Sequence, residues 1–277
     1  MKQFSIEPVT PLIGAEVSGV DLSRLDDDHA LVIKNALLDR LVLFFRDQDL
    51  SIKDQIALGR RFGKLHVHPA GRDIMPHEEG LPPEIFCVFA DANTTRAAGD
   101  KWHTDISCDL KPPAISILKM DLLPSLGGDT LFSNMYAAYE ALSDPMKEML
   151  GGLTATHDGG PNYRDRAKRG GLDPSDRKYP RHSHPVVRTH PETRRKALFV
   201  NATFTTHIDG IPEDESRALL DFLFQHTAKA MFQCRFRWQP NSVAMWDNRC
   251  AMHYAVWDYH PEVRSGRRVT IEGDRPF

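Results

Sequence analysis

The sequence predicts a mainly β fold with flanking helices, a β-sandwich or jelly roll. Two observations carry this. From Ala114 onward, short apolar runs recur between turn residues, as strands do in sandwiches and barrels. Within residues 232–238, Phe232, Cys234, Phe236 and Trp238 alternate with Gln233, Arg235 and Arg237. That period of two sets one face against a core and the other in water. The 277 residues can bury a large core without disulfides or a structural metal. All-β chains of this length often form one unit, so residues 1–277 are read as a single domain.

The elements follow in order. After an acidic start at Asp26 to Asp28, Leu31, Val32, Ile33, Ala36, Leu37 and Leu41 recur at helical spacing. Leu41 to Phe45 reads as a buried strand. Ser51, with Asp54 three residues on, resembles a helix N-cap; Ile52, Ile56 and Phe62 supply its apolar face, and Gly63 ends it. Further strands are expected at Ala114 to Leu118, Thr130 to Ser133, Val186 to Thr189, Ala197 to Val200, Phe232 to Trp238, Val243 to Trp246 and Arg268 to Glu272. Helical patterns interrupt at Met135 to Met149 and Asp214 to Ala228. Residues 70–101 and 157–184 are rich in Pro, Gly and charge, and read as mobile loops, the second as a lid over a site.

Composition narrows the function. Apolar residues make up 41% and charged residues 26%, ordinary for a globular protein, and the net charge of -3 gives no field that favours nucleic acid or an anionic membrane. The N-terminus has no signal-peptide pattern, and no run approaches the ~18 apolar residues of a membrane span. Cys87, Cys108, Cys234 and Cys250 form no C-x-x-C pair, so a reducing cytoplasm is expected rather than a disulfide framework or a Cys-bound zinc.

With 13 histidines in the chain, ligand roles are worth asking about. His103-Thr104-Asp105 is an H-x-D triplet, followed far downstream by His253. On a strand, residues two apart share a face, so one segment offers an imidazole beside a carboxylate and a second closes the site. Two His and one carboxylate on one face of an octahedron leave three positions open, the arrangement of non-haem iron(II) oxygenases. A bidentate cosubstrate and O2 need those positions. The bland reading is an exposed His beside a turn Asp, and the triplet alone does not decide.

The surrounding pattern does more. Trp102 to Asp105, Gly127-Gly128-Asp129-Thr130, Trp246-Asp247-Asn248-Arg249…His253-Tyr254-Ala255 and Arg264…Arg267 to Asp274 resemble the taurine dioxygenase family. So do Ile13 to Leu22 and Arg61-Phe62-Gly63…His66-Val67-His68-Pro69. The likeness covers nearly the whole chain and implies a double-stranded β-helix (jelly-roll) fold. It implies an Fe(II)- and 2-oxoglutarate-dependent dioxygenase that uses O2 to hydroxylate a small organic acid, releasing succinate and CO2. Position by position, it implies that His103, Asp105 and His253 hold iron, and that Arg264 and Thr130 bind the far carboxylate of 2-oxoglutarate. His68 and Arg268 would hold the substrate's anionic head, Phe204 would line its pocket, and His66 would be structural. No catalytic side chain is implied beyond the iron site. A homodimer or homotetramer is expected, with no nucleic-acid or membrane partner.

Departures from the family pattern bear on the substrate. Gly99 stands where taurine dioxygenases carry an asparagine, Cys108 where a phenylalanine is expected, and Met75 or a neighbour where they carry a tyrosine. Lost polar groups weaken discrimination, so taurine itself is disfavoured against a bulkier acid: a sulfonate, a sulfate ester or a carboxylate. Two other readings use the same residues. A zinc hydrolase explains the triad but gives Thr130 and Arg264 no task. An inert jelly-roll protein that binds a small anion keeps the arginines without needing the metal.

Overall fold

Eight strands build the main sheet in the computed structural model, which describes residues 4–68, 80–169, 171 and 173–277. Its order is β1 (Ser5–Pro8), β2 (Ala15–Ser18), β3 (Val42–Phe45), β14 (Val243–Asp247), β6 (Ile115–Leu122), β16 (Arg264–Ile271) and β4 (Leu65–His66), with β5 (Phe86–Ala90) also paired to β16. Side-chain alternation then sets the layers. On β3, Leu43 and Phe45 enter an outer core while Val42 and Phe44 enter an inner one. On β14, Val243 and Met245 part from Ala244 and Trp246 in the same way.

Two helices, α1 (Asp27–Arg40) and α2 (Ile52–Phe62), cover the outer core with Ile33, Leu37 and Leu58. Both start where the sequence predicts. Asp26 accepts from His29 N–H at 2.8 Å, and Ser51 and Asp54 form a reciprocal capping box. Leu41 differs from expectation. It is the left-handed cap of α1 (φ 66°), its N–H donating to Leu37 O, and its buried side chain mimics a strand position.

The inner core lies between the main sheet and a smaller one of order β13 (Gln233–Phe236), β7 (Thr130–Asn134), β15 (Ala251–Ala255). Phe44 of the main sheet stacks on Phe236 at 4.0 Å, and Phe132 tilts against Phe44 at 5.7 Å and Trp246 at 5.6 Å. The protein is thus mainly β with flanking helices. A second three-stranded sheet, β12 (Thr205–Ile208), β8 (Thr154–Asp158), β9 (Arg181–Pro185), and the hairpin β10 (Val187–Thr189), β11 (Lys196–Leu198) lie beside it. The single helix expected over 135–149 is two, α3 (Met135–Glu140) and α4 (Asp144–Leu150), because Ser143 caps a new start and Pro145 cannot continue the old one. The last helix is α6 (Glu213–Thr227).

The loop reading of 157–184 needs correction. That stretch holds the end of β8, the helix α5 (Gly160–Arg169) and most of β9. Residues 70–101 contain β5, and 69–79, with Met75, lie outside the described residues. Among the described residues no helix is long and apolar enough to cross a membrane, and all four cysteines are free thiols.

Candidate active site

His103 and His253 are brought together by the backbone. His103 N–H donates to His253 O at 3.0 Å and His253 N–H to His103 O at 2.8 Å, an isolated bridge that ties the 100–109 segment to β15. Facing residues of such a pair set their side chains together, and the two imidazole centroids are 4.0 Å apart. Asp105 Oδ1 lies 4.0 Å from His103 Nε2 and 3.8 Å from His253 Nε2. All three residues are buried, and their ligating atoms lie within 4.8 Å of one another. The strand expected under the H-x-D triplet is absent. Pairing stops at His103 and Asp105 opens a turn, while Thr104 points away to donate to Ala251 O at 3.0 Å.

Neighbours fix the donor atoms. His103 Nδ1–H donates to Lys101 O at 2.8 Å, which leaves its Nε2 lone pair facing Asp105. Burial pushes the pKa of both imidazoles down and keeps them neutral, the form that binds a metal. Burial also pushes the Asp105 carboxyl up, but the Arg268 guanidinium on Oδ1 and the other groups around it, the Ser116 hydroxyl among them, together outweigh it, and the carboxyl stays well below the usual range. Ser116 donates to Asp105 Oδ2 at 2.6 Å. Asn248 in turn donates to Ser116 at 2.8 Å and accepts from Trp246 Nε1 at 2.9 Å.

The turn after Asp105 is held in a strained shape. Ile106 is buried at φ 49°, where a β-branched residue is an outlier costing on the order of 1–3 kcal/mol. Histidines from other elements hold it. His182 donates to Cys108 O at 2.9 Å, His184 to Asp109 O at 2.8 Å and His66 to the Asp109 carboxylate at 3.1 Å. Ser107 accepts from Asn201 at 2.9 Å and meets His157 Nδ1 at 2.9 Å. His66 is therefore part of this clamp.

Beside the trio, Arg264 and Arg268 point from one face of β16, since both are buried four residues apart on a strand while Val269 and Ile271 face the outer core. Arg264 Nε donates to Gly128 O at 3.0 Å, and its Nη2 is buried with no partner among the described residues. Gly128 is at φ 70°, and a Cβ there would sit 3.1 Å from Arg264 Cδ, so glycine lets the guanidinium pass. Arg264 lies 5.9 Å from the Trp238 ring centroid, and Trp238 Nε1 donates to Thr130 Oγ1 at 3.0 Å. The indole thus gathers Thr130 and Arg264 into one corner. Trp238 was read only as a core position; its alternation gave no sign of this second contact.

On the far side of Asp105, Arg268 lies 4.7 Å from the Phe86 ring centroid and His68 stacks on that ring at 4.7 Å. Tyr163 of α5 meets His68 at 5.4 Å and Phe204 at 5.9 Å, and packs with Ile106, Cys108 and Ala167 in a small apolar cluster. The structure therefore brings His68, Arg268 and Phe204 into one region. Phe86 and Tyr163 were missed, because both sit in stretches that read as loops. A second trio, His190, Asp247 and Cys250, also clusters, but Arg249 grips both oxygens of Asp247 (2.9 and 2.7 Å) and His190 shares it at 3.1 Å. Those bonds make it a buried support under the turn that carries Asn248.

The family model described as "Taurine catabolism dioxygenase TauD, TfdA family" matches residues 5–270. The chain belongs to that family. It is 35% identical to the alpha-ketoglutarate-dependent sulfate ester dioxygenase of Pseudomonas putida, over 99% of this chain and 91% of the relative. It is 32% identical to the alpha-ketoglutarate-dependent sulfonate dioxygenase of Saccharomyces cerevisiae, over 99% and 68%. A taurine dioxygenase structure from Burkholderia xenovorans superposes with a TM-score of 0.83 at 34% identity, covering 99% of this chain and 92% of that one. As a member of the TauD, TfdA family, the protein is an Fe(II)- and 2-oxoglutarate-dependent dioxygenase that uses O2.

The residues present fit those cofactors. Two neutral imidazoles and one ionised carboxylate are a donor set for iron(II), and the orphaned Arg264 Nη2 asks for an acceptor such as a carboxylate. Family departures fall on this site too. Gly99, at φ 86°, would set a Cβ 3.2 Å from His103 Cε1. Cys108 is fully buried with its Sγ 3.8 Å from the Tyr163 hydroxyl, and burial pushes its thiol up to about 12, so it stays neutral.

Proposed function

We propose that the protein hydroxylates a small organic acid with His103, Asp105 and His253 holding the iron. Arg264 and Thr130 grip the far carboxylate of 2-oxoglutarate. Arg268 and His68 seat the anionic head of the substrate, and Phe204 lines the pocket for its remainder. One observation carries the reading: three ligand atoms of buried residues converge within 4.8 Å, with Arg268 on Asp105 and a second buried guanidinium, Arg264, four residues before it on β16. A zinc hydrolase would leave Arg264 without a task.

When bound, iron(II) with 2-oxoglutarate and O2 supplies the oxidising chemistry that turns a C–H bond into C–OH, releasing succinate and CO2. The chain's own residues do the rest. Arg264 presents a fork to the cosubstrate carboxylate, with Trp238 keeping Thr130 beside it. Arg268 holds Asp105 Oδ1, the oxygen that the two histidines would share in holding a metal, and its guanidinium, if freed from Asp105, would need another anion. Tyr163, Phe86 and Phe204 exclude water around the reacting carbon. The double-stranded β-helix is the fold we assign to the main and smaller sheets, and the free thiols suit a reducing cytoplasm.

Succinate release by the Fe(II)-loaded protein with 2-oxoglutarate and O2, across alkyl sulfonates, sulfate esters, aryloxyacids and simple carboxylates, tests the reading. Stimulation by one class, lost in His103→Ala, is expected. Stimulation by no acid would overturn it, and taurine outperforming every bulkier acid would overturn the preference drawn from Gly99 and Cys108.

A further inference from the structure

Asp105 has two carboxylate oxygens, and the fold treats them differently. Oδ1 faces both imidazoles, 4.0 Å from His103 Nε2 and 3.8 Å from His253 Nε2. Oδ2 instead accepts from the Ser116 hydroxyl at 2.6 Å. Ser116 sits where an apolar side chain would be expected. It is fully buried on β6, directly across from Trp246 of β14, and shares its face of the strand with Leu118 of the inner core. Ile115 and Ile117 face the outer core. A hydroxyl in such a place is costly unless it is bonded.

Its neighbours fix the direction of that bond. Trp246 Nε1 and the Asp105 backbone N–H can only donate, and both meet Asn248 Oδ1, at 2.9 and 3.3 Å. The Asn248 amide nitrogen is thereby the atom that meets Ser116 Oγ, 2.8 Å away. Ser116 accepts from it and has its one hydrogen left for Asp105. The chain Trp246, Asn248, Ser116, Asp105 therefore runs in one sense and ends on Oδ2. Backbone bonds hold Asn248 in register. Its N–H donates to Ala114 O at 2.8 Å, and its carbonyl accepts from Thr104 Oγ1 at 3.2 Å.

A carboxylate can bind a metal through one oxygen or chelate it through both. In this site the difference matters. Two imidazoles and one oxygen leave three octahedral positions, enough for a bidentate cosubstrate and O2. A second carboxylate oxygen would take one of those three.

We propose that Ser116, aimed by Asn248, is a positioning residue that holds Oδ2 away from the metal, so that Asp105 gives one oxygen and the cosubstrate keeps its two positions. The inference rests on the metal role proposed above for His103, Asp105 and His253.

Calorimetric titration of Mn(II), and then of N-oxalylglycine, into the metal-free full-length protein tests it. In Ser116→Ala the freed Oδ2 competes with the cosubstrate mimic. Mn(II) alone should bind at least as tightly as it does to the wild type. N-oxalylglycine binding to the Mn(II)-loaded variant should weaken roughly 10- to 100-fold, the range of a lost charge-assisted hydrogen bond. The KM of the iron enzyme for 2-oxoglutarate should rise with it, and Ser116→Thr, which keeps the hydroxyl, should recover most of both losses. Should Ser116→Ala not fold, Ser116→Cys, a weaker donor of similar shape, reads the same split. Mn(II) and mimic weakened together would show a merely structural role and overturn the inference. The two levels separate. A wild type whose Mn(II) site binds the mimic, with Ser116→Ala indifferent, sinks only the task given to Ser116. A wild type that binds no Mn(II) sinks the metal reading and the inference with it.

Discussion

Asp105 already holds one cation, the Arg268 guanidinium, on the oxygen that faces the two histidines, and this sets how the site behaves residue by residue. Its Oδ1 faces both histidine Nε2 atoms at 4.0 and 3.8 Å and also takes the Arg268 guanidinium. Arg268→Gln should therefore raise the metal affinity of the cosubstrate-free protein severalfold, because a competitor for the carboxylate is gone. The same variant should raise the KM for the acid substrate. Metal titration and steady-state kinetics on one preparation check both, and a weaker metal site would contradict the competition. His103, Asp105, His253, Thr130 and Arg264 stood out in the sequence as candidates because each sits in a short ordered motif, and the structure clusters the first three. Phe86 and Tyr163 were not, since an aromatic in a stretch without periodicity gives no sign of what it meets. Gly99 was legible as a departure, but only the structure shows that its missing side chain faces His103.

At the scale of elements, the Ile106–Asp109 turn is the part most dependent on histidines. Burial pushes His157 down to about 3 and His184 down to about 4. Both lie below the ~6.5 of an unfolded chain. Their contribution to stability is therefore whole above pH ~6.5 and is lost as pH falls from there toward 4 and 3, because the unfolded chain takes up protons that the folded one refuses. Each costs on the order of 1 kcal/mol per pH unit within its window. Chemical denaturation between pH 7 and pH 4.5 should show that slope, and His184→Gln should flatten it; an unchanged slope would contradict the assignment. Helix α5 went unread because its mean hydropathy is low and only Gly160, Tyr163 and Ala167 of its residues are buried. Three positions at helical spacing are too few to stand out among so many charges. Strand β15, which carries His253, was missed for a different reason. Ala251, Met252 and His253 are all buried, so no alternation marks it.

For the whole molecule, the two cores decide where the site can stand. The outer core fixes the main sheet against α1 and α2, and the inner core fixes the smaller sheet carrying His253 against the main sheet carrying Arg264 and Arg268. Phe132 joins them. It is fully buried, pairs with His253 across β7 and β15, and packs on Phe44 and Trp246. Phe132→Ala should cost roughly 3–5 kcal/mol by denaturant unfolding and weaken the metal site with it. A destabilised protein with undiminished metal affinity would show the sheets are not coupled in this way. The alternation at 232–238 and the strands at 114–118 and 243–246 were readable because one face of each is apolar throughout. How the sheets stack was not, since it depends on contacts between residues far apart in the chain.

Titration of Mn(II) into the metal-free protein, with and without N-oxalylglycine, tests the central claim most directly. The wild type should bind a single equivalent, more tightly when the cosubstrate mimic is present, and Asp105→Ala should lose that binding. Arg264→Gln should keep the metal but lose the tightening by the mimic. A full equivalent bound with undiminished affinity in Asp105→Ala would place the metal elsewhere and contradict the account.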